Sequence, residues 1–122
     1  IVIPSMRTSK NIIELSKNQL SANSLVIDNV DKKAYLSALS LAKYIAVTCD
    51  STSMISEAAL TGKPIYVADI PTKKNDYRIK KFRELFTKLN IIKKLDNKLE
   101  TWYYETLDET SRIANKIKKQ LL

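Results

Sequence analysis

The sequence predicts an α/β protein in which a parallel β-sheet is flanked by helices, and two observations carry that prediction. Short apolar runs alternate along the chain with segments whose apolar residues recur at helical spacing, the order that builds strand–helix–strand crossovers. Between one such helical segment and the next apolar run stands Gly62-Lys63-Pro64. Glycine there suits a left-handed helix terminus, and a proline just beyond cannot continue a helix.

Taken in order, Ile1-Val2-Ile3-Pro4 reads as a buried strand, and a helix follows from about Ser9 with Ile12, Leu15 and Leu20 on its inner side. Leu25-Val26-Ile27 is a second strand, and a second helix spaces Tyr35, Leu39 and Ala42 at i, i+4, i+7. Tyr44 to Thr48 is a third strand and Ile65-Tyr66-Val67-Ala68 a fourth, with a helix from about Thr52 to Thr61 between them. A further helix from about Tyr77 aligns Ile79, Phe82, Phe86 and Leu89 on one face. Thr106 with Glu109 has the capping-box spacing and opens a last helix that carries Ile113, Ile117 and Leu121 inward. Its acidic residues come first and Lys116, Lys118 and Lys119 last, as the helix dipole prefers. No repeat or low-complexity linker interrupts the pattern, so residues 1–122 read as a single Rossmann-like domain. The chain opens on Ile1 with a strand already under way, as expected of a cut through a longer protein.

Composition narrows the chemistry. A chain of 122 residues is one domain's worth, and it buries about two thirds of its unfolded surface, enough for one core. No apolar run approaches the roughly 20 residues that span a bilayer, and no signal peptide is visible, so a cytoplasmic, soluble domain is expected. With no His, the chain holds no Ser-His-Asp or Cys-His nucleophile and no imidazole zinc site. One Cys allows neither an internal disulfide nor a CxxC motif, and one Gly rules out both the P-loop and the GxGxxG fingerprint. No metal is expected, no catalytic residue is assigned within the chain, and an NAD-dependent epimerase would need a glycine-rich turn that is absent.

The net charge is +8, mostly from Lys, a flexible point charge rather than the fork that reads bases. Lys73, Lys74, Arg78, Lys80, Lys81 and Arg83 form a basic run with Tyr77 and Phe82 interleaved. It reads as a solvated outer face, with an anionic ligand or peripheral contact with the inner membrane face through Lys73, Lys74, Arg78 and Lys81 as the functional alternative. No nucleic-acid partner is expected, since no RNA-binding motif accompanies the charge. Cys49 reads as a small hydrophobe at a strand end, with no base to activate it. Trp102, Tyr103 and Tyr104 read as a packing cluster under the last helix.

The informative stretch runs from Val47 to Val67. A strand ends at Thr48, a polar turn follows, and a helix begins near Thr52. Ligands of open α/β sheets bind beyond the carboxyl ends of the strands, and a helix N-terminus there offers unpaired N–H groups and about half a positive charge. Ser51, Thr52 and Ser53 add hydroxyls, so a diphosphate can be held without glycine or lysine. Glu57 lies about one and a half turns further, roughly 8 Å along the axis, where a carboxylate accepts from the two hydroxyls of a ribose. The plain alternative is that Asp50 or Ser51 caps the helix and Glu57 is a solvated carboxylate.

These residues also carry a resemblance. The block TCDSTSMISEAALTGKPIYV resembles the core of the mitochondrial-fission "elongated mitochondria" (ELM) family and its bacterial relatives, often labelled nucleoside-diphosphate-sugar epimerase-like. The family pattern reads approximately V-T-x-D-S-x-S-M-x-S-E-A-x-x-T-G-K-P-V. The chain meets it at Thr48, Asp50, Ser51, Ser53, Met54, Ser56, Glu57, Ala58, Thr61, Gly62, Lys63 and Pro64. Ser5-Met6-Arg7-Thr8 looks like the family's S-R-R-T turn, with Met6 in place of the first arginine. Lys81-Phe82-Arg83 with Leu85-Phe86 resembles its K-F-x-x-F helix. Trp102, Tyr104, Leu107 and the Glu109 to Ala114 run look like its C-terminal signature.

More distantly, S-x-x-x-x-x-E-A/I-x-x-x-G-x-P is similar to the donor site of two-lobed (GT-B type) glycosyltransferases, such as the peptidoglycan N-acetylglucosaminyl transferase. The resemblance implies the C-terminal lobe of a GT-B-type fold, with the N-terminal lobe of the full protein outside this chain. It implies that Ser51, Thr52, Ser53 and Met54 lie near the phosphate or base, that Glu57 meets the ribose, and that Arg7 supplies a cation to the phosphate. The implied ligand is a nucleotide or a nucleoside-diphosphate sugar, as substrate rather than cofactor, with glycosyl transfer in the full-length protein. The alternative it implies is a non-catalytic fission or recruitment factor that kept the fold.

Overall fold

The computed structural model describes residues 1–71 and 76–122. Three strands, β1 (Ile45–Thr48), β2 (Ile65–Ala68) and β3 (Ile92–Lys94), form a parallel sheet in the order β1-β2-β3. Five helices accompany them: α1 (Lys10–Gln19), α2 (Lys32–Leu41), α3 (Thr52–Ala59), α4 (Tyr77–Lys88) and α5 (Glu109–Leu121). The chain divides into two units, Ile1–Leu41 and Ala42–Leu122, and the whole sheet belongs to the second. The architecture is α/β and Rossmann-like: a parallel sheet flanked by helices.

In the second unit the register assigns each side chain to a face. Ile45 pairs with Ile65 and Ile65 with Ile92, so these three share one face, and Val47 and Val67 join them two residues on. All five are buried, and with Ile55, Ala58 and Ala59 of α3 they make the apolar centre of the unit. Strand order advancing in one direction through right-handed crossovers puts α3 and α4 side by side on that face.

The opposite face carries Ala46, Tyr66 and Lys93, and Tyr66 is 2% exposed. Its cover is the segment after β3. Trp102 meets the Tyr66 ring edge-on at 5.2 Å, and Lys93 Nζ lies 4.5 Å from the Trp102 ring centroid. The Tyr66 hydroxyl accepts from Glu100 N at 2.6 Å and donates to Glu100 O at 3.3 Å. The Trp102 indole N–H donates to Asn90 O at 2.8 Å, and the Tyr104 hydroxyl donates to Lys63 O at 2.9 Å. Burial pushes the Tyr104 phenol up from its ordinary pKa, which keeps that donor protonated. The aromatic cluster therefore packs under the sheet rather than under the last helix, and Tyr103 is 87% exposed.

Helix α4 ends in a feature that local spacing did not predict. Asn90 takes φ 58°, its N–H donates to Thr87 O, and Ile91 N–H donates to Phe86 O, each at 2.9 Å. This pair of bonds is a Schellman terminus with asparagine at the left-handed position, and it turns the chain straight into β3. At the end of α3, Gly62 holds φ 70°. A β-carbon there meets only Thr106 Cγ2 at an ordinary 3.6 Å, so backbone conformation rather than space calls for glycine.

In the first unit the two expected strands reduce to one parallel bridge, Val2 with Val26, held by Val2 N–H to Leu25 O at 2.8 Å and Ile27 N–H to Val2 O at 2.9 Å. Helix α2 is capped by Asp31, whose Oδ1 accepts from Lys33 N and Ala34 N. Lys17 pairs with Asp28 and fastens α1 to the segment after the bridge.

Three expectations need correcting. Thr106 does not open α5: its N-cap is Asp108, which accepts from Ser111 N at 3.0 Å, because a carboxylate two residues nearer the helix takes the role. The stripe of Ile113, Ile117 and Leu121 is not inward, since no residue of α5 is buried. Ile12, Leu15 and Leu20 of the first helical segment are likewise exposed. Helical spacing makes an apolar stripe, but burial needs an apolar face opposite it.

Two stability outcomes follow. Tyr66→Phe keeps the ring but leaves Glu100 N–H without its acceptor, so denaturant unfolding should show a loss of about 1–2 kcal/mol. Equal midpoints for the two proteins would show that this hydroxyl does not hold the segment. Asp69 accepts from Arg83 of α4 at 2.6 Å and pairs with Lys94 of β3 at 3.1 Å. The Lys94 ammonium first, then the Arg83 guanidinium, holds its carboxyl below the ordinary 3.8. A depressed folded pKa contributes stability that is complete above the ordinary value and is lost as pH falls through the lowered one. Asp69→Asn should therefore lose less stability than the parent in melts between about pH 5 and pH 2, and identical pH profiles would rule the tie out.

Candidate functional site

Helix α3 decides the site's geometry. Its inner positions Ile55, Ala58 and Ala59 are 2% exposed or less. By helical spacing Ser53 and Glu57 point away from them and Ser56 to the flank, while Thr52, three residues before Ile55, lies at the edge of the buried face and is half-buried. The turn before it is closed by Ser51 N–H donating to Thr48 O at 3.2 Å, and Ser51 O then accepts from Ile55 N at 3.0 Å. Ser51 is the N-cap residue and is 7% exposed, yet its side chain makes no cap hydrogen bond. At the start of α4, by contrast, the N-cap Asp76 carboxylate accepts from Arg78 N.

Opposite α3 stands α4. Thr52, Ser53, Ser56 and Glu57 line one wall of a cleft of about 750 Å³, and Asp76, Arg78, Ile79 and Phe82 line the other. Helix α3 starts four residues after the carboxyl end of β1, and α4 is the next helix after β2, so the cleft lies between helices that follow strand ends, where parallel α/β sheets bind ligands. The Asp69 tie to Arg83 and Lys94 sets the second wall by joining α4 to the sheet. The cleft combines three hydroxyls, the carboxylates of Glu57 and Asp76, a guanidinium and an apolar patch from Ile79 and Phe82. Its volume is within the range of small-molecule sites, and it is open to solvent.

The sequence-predicted residues divide between the two units. Thr52, Ser53 and Glu57 line the cleft; Ser51 is buried at the helix start, and Met54 is half-buried. Arg7 lies in the first unit, in a turn held by Ser5 N–H to Thr8 Oγ1 at 2.9 Å and Arg7 N–H to Ser5 Oγ at 3.2 Å. Cys49 is buried, with its thiol 3.9 Å from Ile70 O. Among the described residues there is no group of three metal-ligating side chains, and no helix is long and apolar enough to cross a membrane.

Sequence reasoning missed the second wall. It grouped Arg78 with a basic run and aligned Ile79 and Phe82 with Phe86 on one inward face, whereas Ile79 and Phe82 are half-buried and line the cleft. Phe86 is the buried member of that face, with the Phe82 ring 4.1 Å away. The run itself disperses: Arg83 is held by Asp69, Lys80 reaches Glu84 at 4.0 Å, and Lys81 lies over the Tyr77 ring. Lys73 and Lys74 lie outside the described residues. The one available signal was Asp76 two residues before Arg78, a helix start directed at the same sheet edge as Ser51.

Comparison with known proteins fits this arrangement into a family. The chain is 34% identical over 121 residues to the "Uncharacterized protein RP120" of Rickettsia prowazekii (strain Madrid E), covering 93% of this chain and 34% of that protein. It is 31% identical over 90 residues to the "Mitochondrial fission protein ELM1" of Arabidopsis thaliana, covering 71% of this chain and 21% of that protein. The chain therefore spans about a third or less of the length of these relatives. No solved structure matches it. The family model described as "Mitochondrial fission ELM1" matches residues 1–121, and the chain belongs to that family.

Proposed function

We propose that this chain is the nucleotide-binding part of a GT-B-like protein, and that a nucleotide or nucleoside-diphosphate sugar sits in the cleft between α3 and α4. The observation that carries the reading is the convergence of Thr52, Ser53 and Glu57 on one cleft beside a helix start whose N-cap side chain makes no hydrogen bond. In this reading the diphosphate rests on the first turn of α3, where N–H groups and the helix dipole favour an anion. Ser51 and Met54 shape that turn, and the Glu57 carboxylate accepts from the ribose diol. The family resemblance adds Arg7 as a cation for the phosphate. Where the whole protein is an enzyme, its reaction is glycosyl transfer from a nucleoside-diphosphate sugar, and the base for the acceptor comes from outside this chain. Membership of the ELM family and the name of the Arabidopsis relative favour a second reading, a fission or recruitment factor that keeps the fold without catalysis. Nucleotide binding separates the two.

Calorimetric titration of the intact protein with UDP, GDP, ADP and CDP tests the reading, and no binding of any of them rejects it. Glu57→Ala should weaken the diphosphate that binds by about 1–3 kcal/mol, the loss of a charge-assisted hydrogen bond. Its thermal midpoint should match the parent's, because Glu57 is exposed. Undiminished binding by the variant would remove Glu57 from the site. Arg7→Lys keeps the charge and loses the bidentate fork, so diphosphate binding should fall while binding of the matching nucleoside stays the same. Equal diphosphate affinity would return Arg7 to the ordinary surface.

A further inference from the structure

We infer that Arg78 is the cleft's own anion-binding residue, gripping the phosphate of a bound nucleotide from the wall opposite α3; this rests on the nucleotide reading above. The basic run on α4 looks uniform in sequence, but its members have different surroundings. Arg83 is committed to Asp69 at 2.6 Å, Lys80 to Glu84 at 4.0 Å, and Lys81 lies 4.8 Å over the Tyr77 ring. Arg78 is the α4 cation that lines the cleft, together with Thr52, Ser53 and Glu57. Its side chain is 92% exposed, and its Nε is 3.7 Å from Asp76 Oδ1. Asp76 is in turn occupied as the helix cap, accepting from Arg78 N at 2.9 Å. A 3.7 Å contact beside a carboxylate already in use leaves the guanidinium's outer N–H groups directed by solvent and ligand rather than by a tight ion pair.

The geometry then sorts the ligand by chemistry. One wall offers hydroxyls and a carboxylate, which suit a neutral polyol; the other offers a planar cation beside the Asp76 carboxylate, and its outer N–H edge suits a phosphate by two parallel N–H···O bonds. Ile79 and Phe82 flank Arg78 on the same wall and offer an apolar and aromatic surface to a base or sugar face. A lone anion leaves Glu57 uncompensated and repelling, and a lone sugar leaves Arg78 unused. A ligand carrying both a diol and a phosphate answers both walls, so this cleft selects phosphorylated nucleosides over free nucleosides and over inorganic phosphate.

The test titrates the intact protein with UDP, GDP, ADP and CDP, the matching nucleosides and inorganic pyrophosphate, in the parent and in Arg78→Gln, Arg78→Lys, Lys80→Gln and Glu57→Ala. Thermal melts confirm that each variant is folded, as expected for changes at exposed side chains. Arg78→Gln should weaken the bound diphosphate at least about tenfold, the scale of one lost charge-assisted contact. Arg78→Lys should recover only part of that loss, and nucleoside affinity and the Lys80→Gln protein should stay within about twofold of the parent. If Glu57→Ala loses the diphosphate and Arg78→Gln keeps it, the role of Arg78 is overturned while the nucleotide reading stands. If the parent binds none of the four diphosphates, both fall together. If Arg78→Gln and Lys80→Gln weaken binding equally, the effect is general surface charge and the assignment to Arg78 is overturned.

Discussion

The burial of β2 is the constraint on which the rest of the structure depends. Ile65, Tyr66 and Val67 are each 2% exposed or less, with β1 on one side and β3 on the other. Fully burying one such side chain is worth roughly 1.5–3 kcal/mol, and a central parallel strand must be covered on both faces to gain it. On one face the cover is α3, which packs on β1 and β2. On the other it is the Glu100–Tyr104 segment, clasped by Tyr66, Asn90 and Lys63. Both covers are anchored to β2 or to the residues that lead into it.

Function inherits its geometry from that arrangement. Because α3 spends Ile55, Ala58 and Ala59 on the sheet, its polar positions have one direction left, toward α4. The Schellman terminus at Asn90 returns the chain to the sheet at β3, and Asp69 ties α4 to that strand through Arg83 and Lys94. Neither device touches the cleft, but together they hold one of its walls. The two helix starts are also treated differently. Asp76 caps α4 with its own carboxylate, whereas the Ser51 side chain does not cap α3, so the two walls present unlike chemistry.

Charge follows the same logic of placement over count. A net charge of +8 suggests an anionic partner in general terms. Individual cations nevertheless have local partners, as at Lys17 with Asp28, Lys93 over Trp102 and Arg112 with Glu109. Among the described residues, Arg78 brings its guanidinium to the cleft wall.

The sequence by itself determined the features that are local. The boundaries of β2, the start of α3 at Thr52 and the left-handed glycine at 62 all follow from alternation, turn chemistry and φ preferences over a few residues. The family resemblance was legible for the same reason, since its core block is one continuous strand–turn–helix–strand segment. Tertiary structure decided what depends on residues far apart in the chain. Trp102 found its partner in Tyr66 through pairing across 36 positions of sequence, and Phe82 left the core because the wall of a cleft, rather than a sheet, lies over it. The stripe on α5 has helical spacing equal to that of any buried helix, yet none of its residues is buried. Periodicity says which residues share a face; only the register of the sheet and the packing upon it say what that face meets.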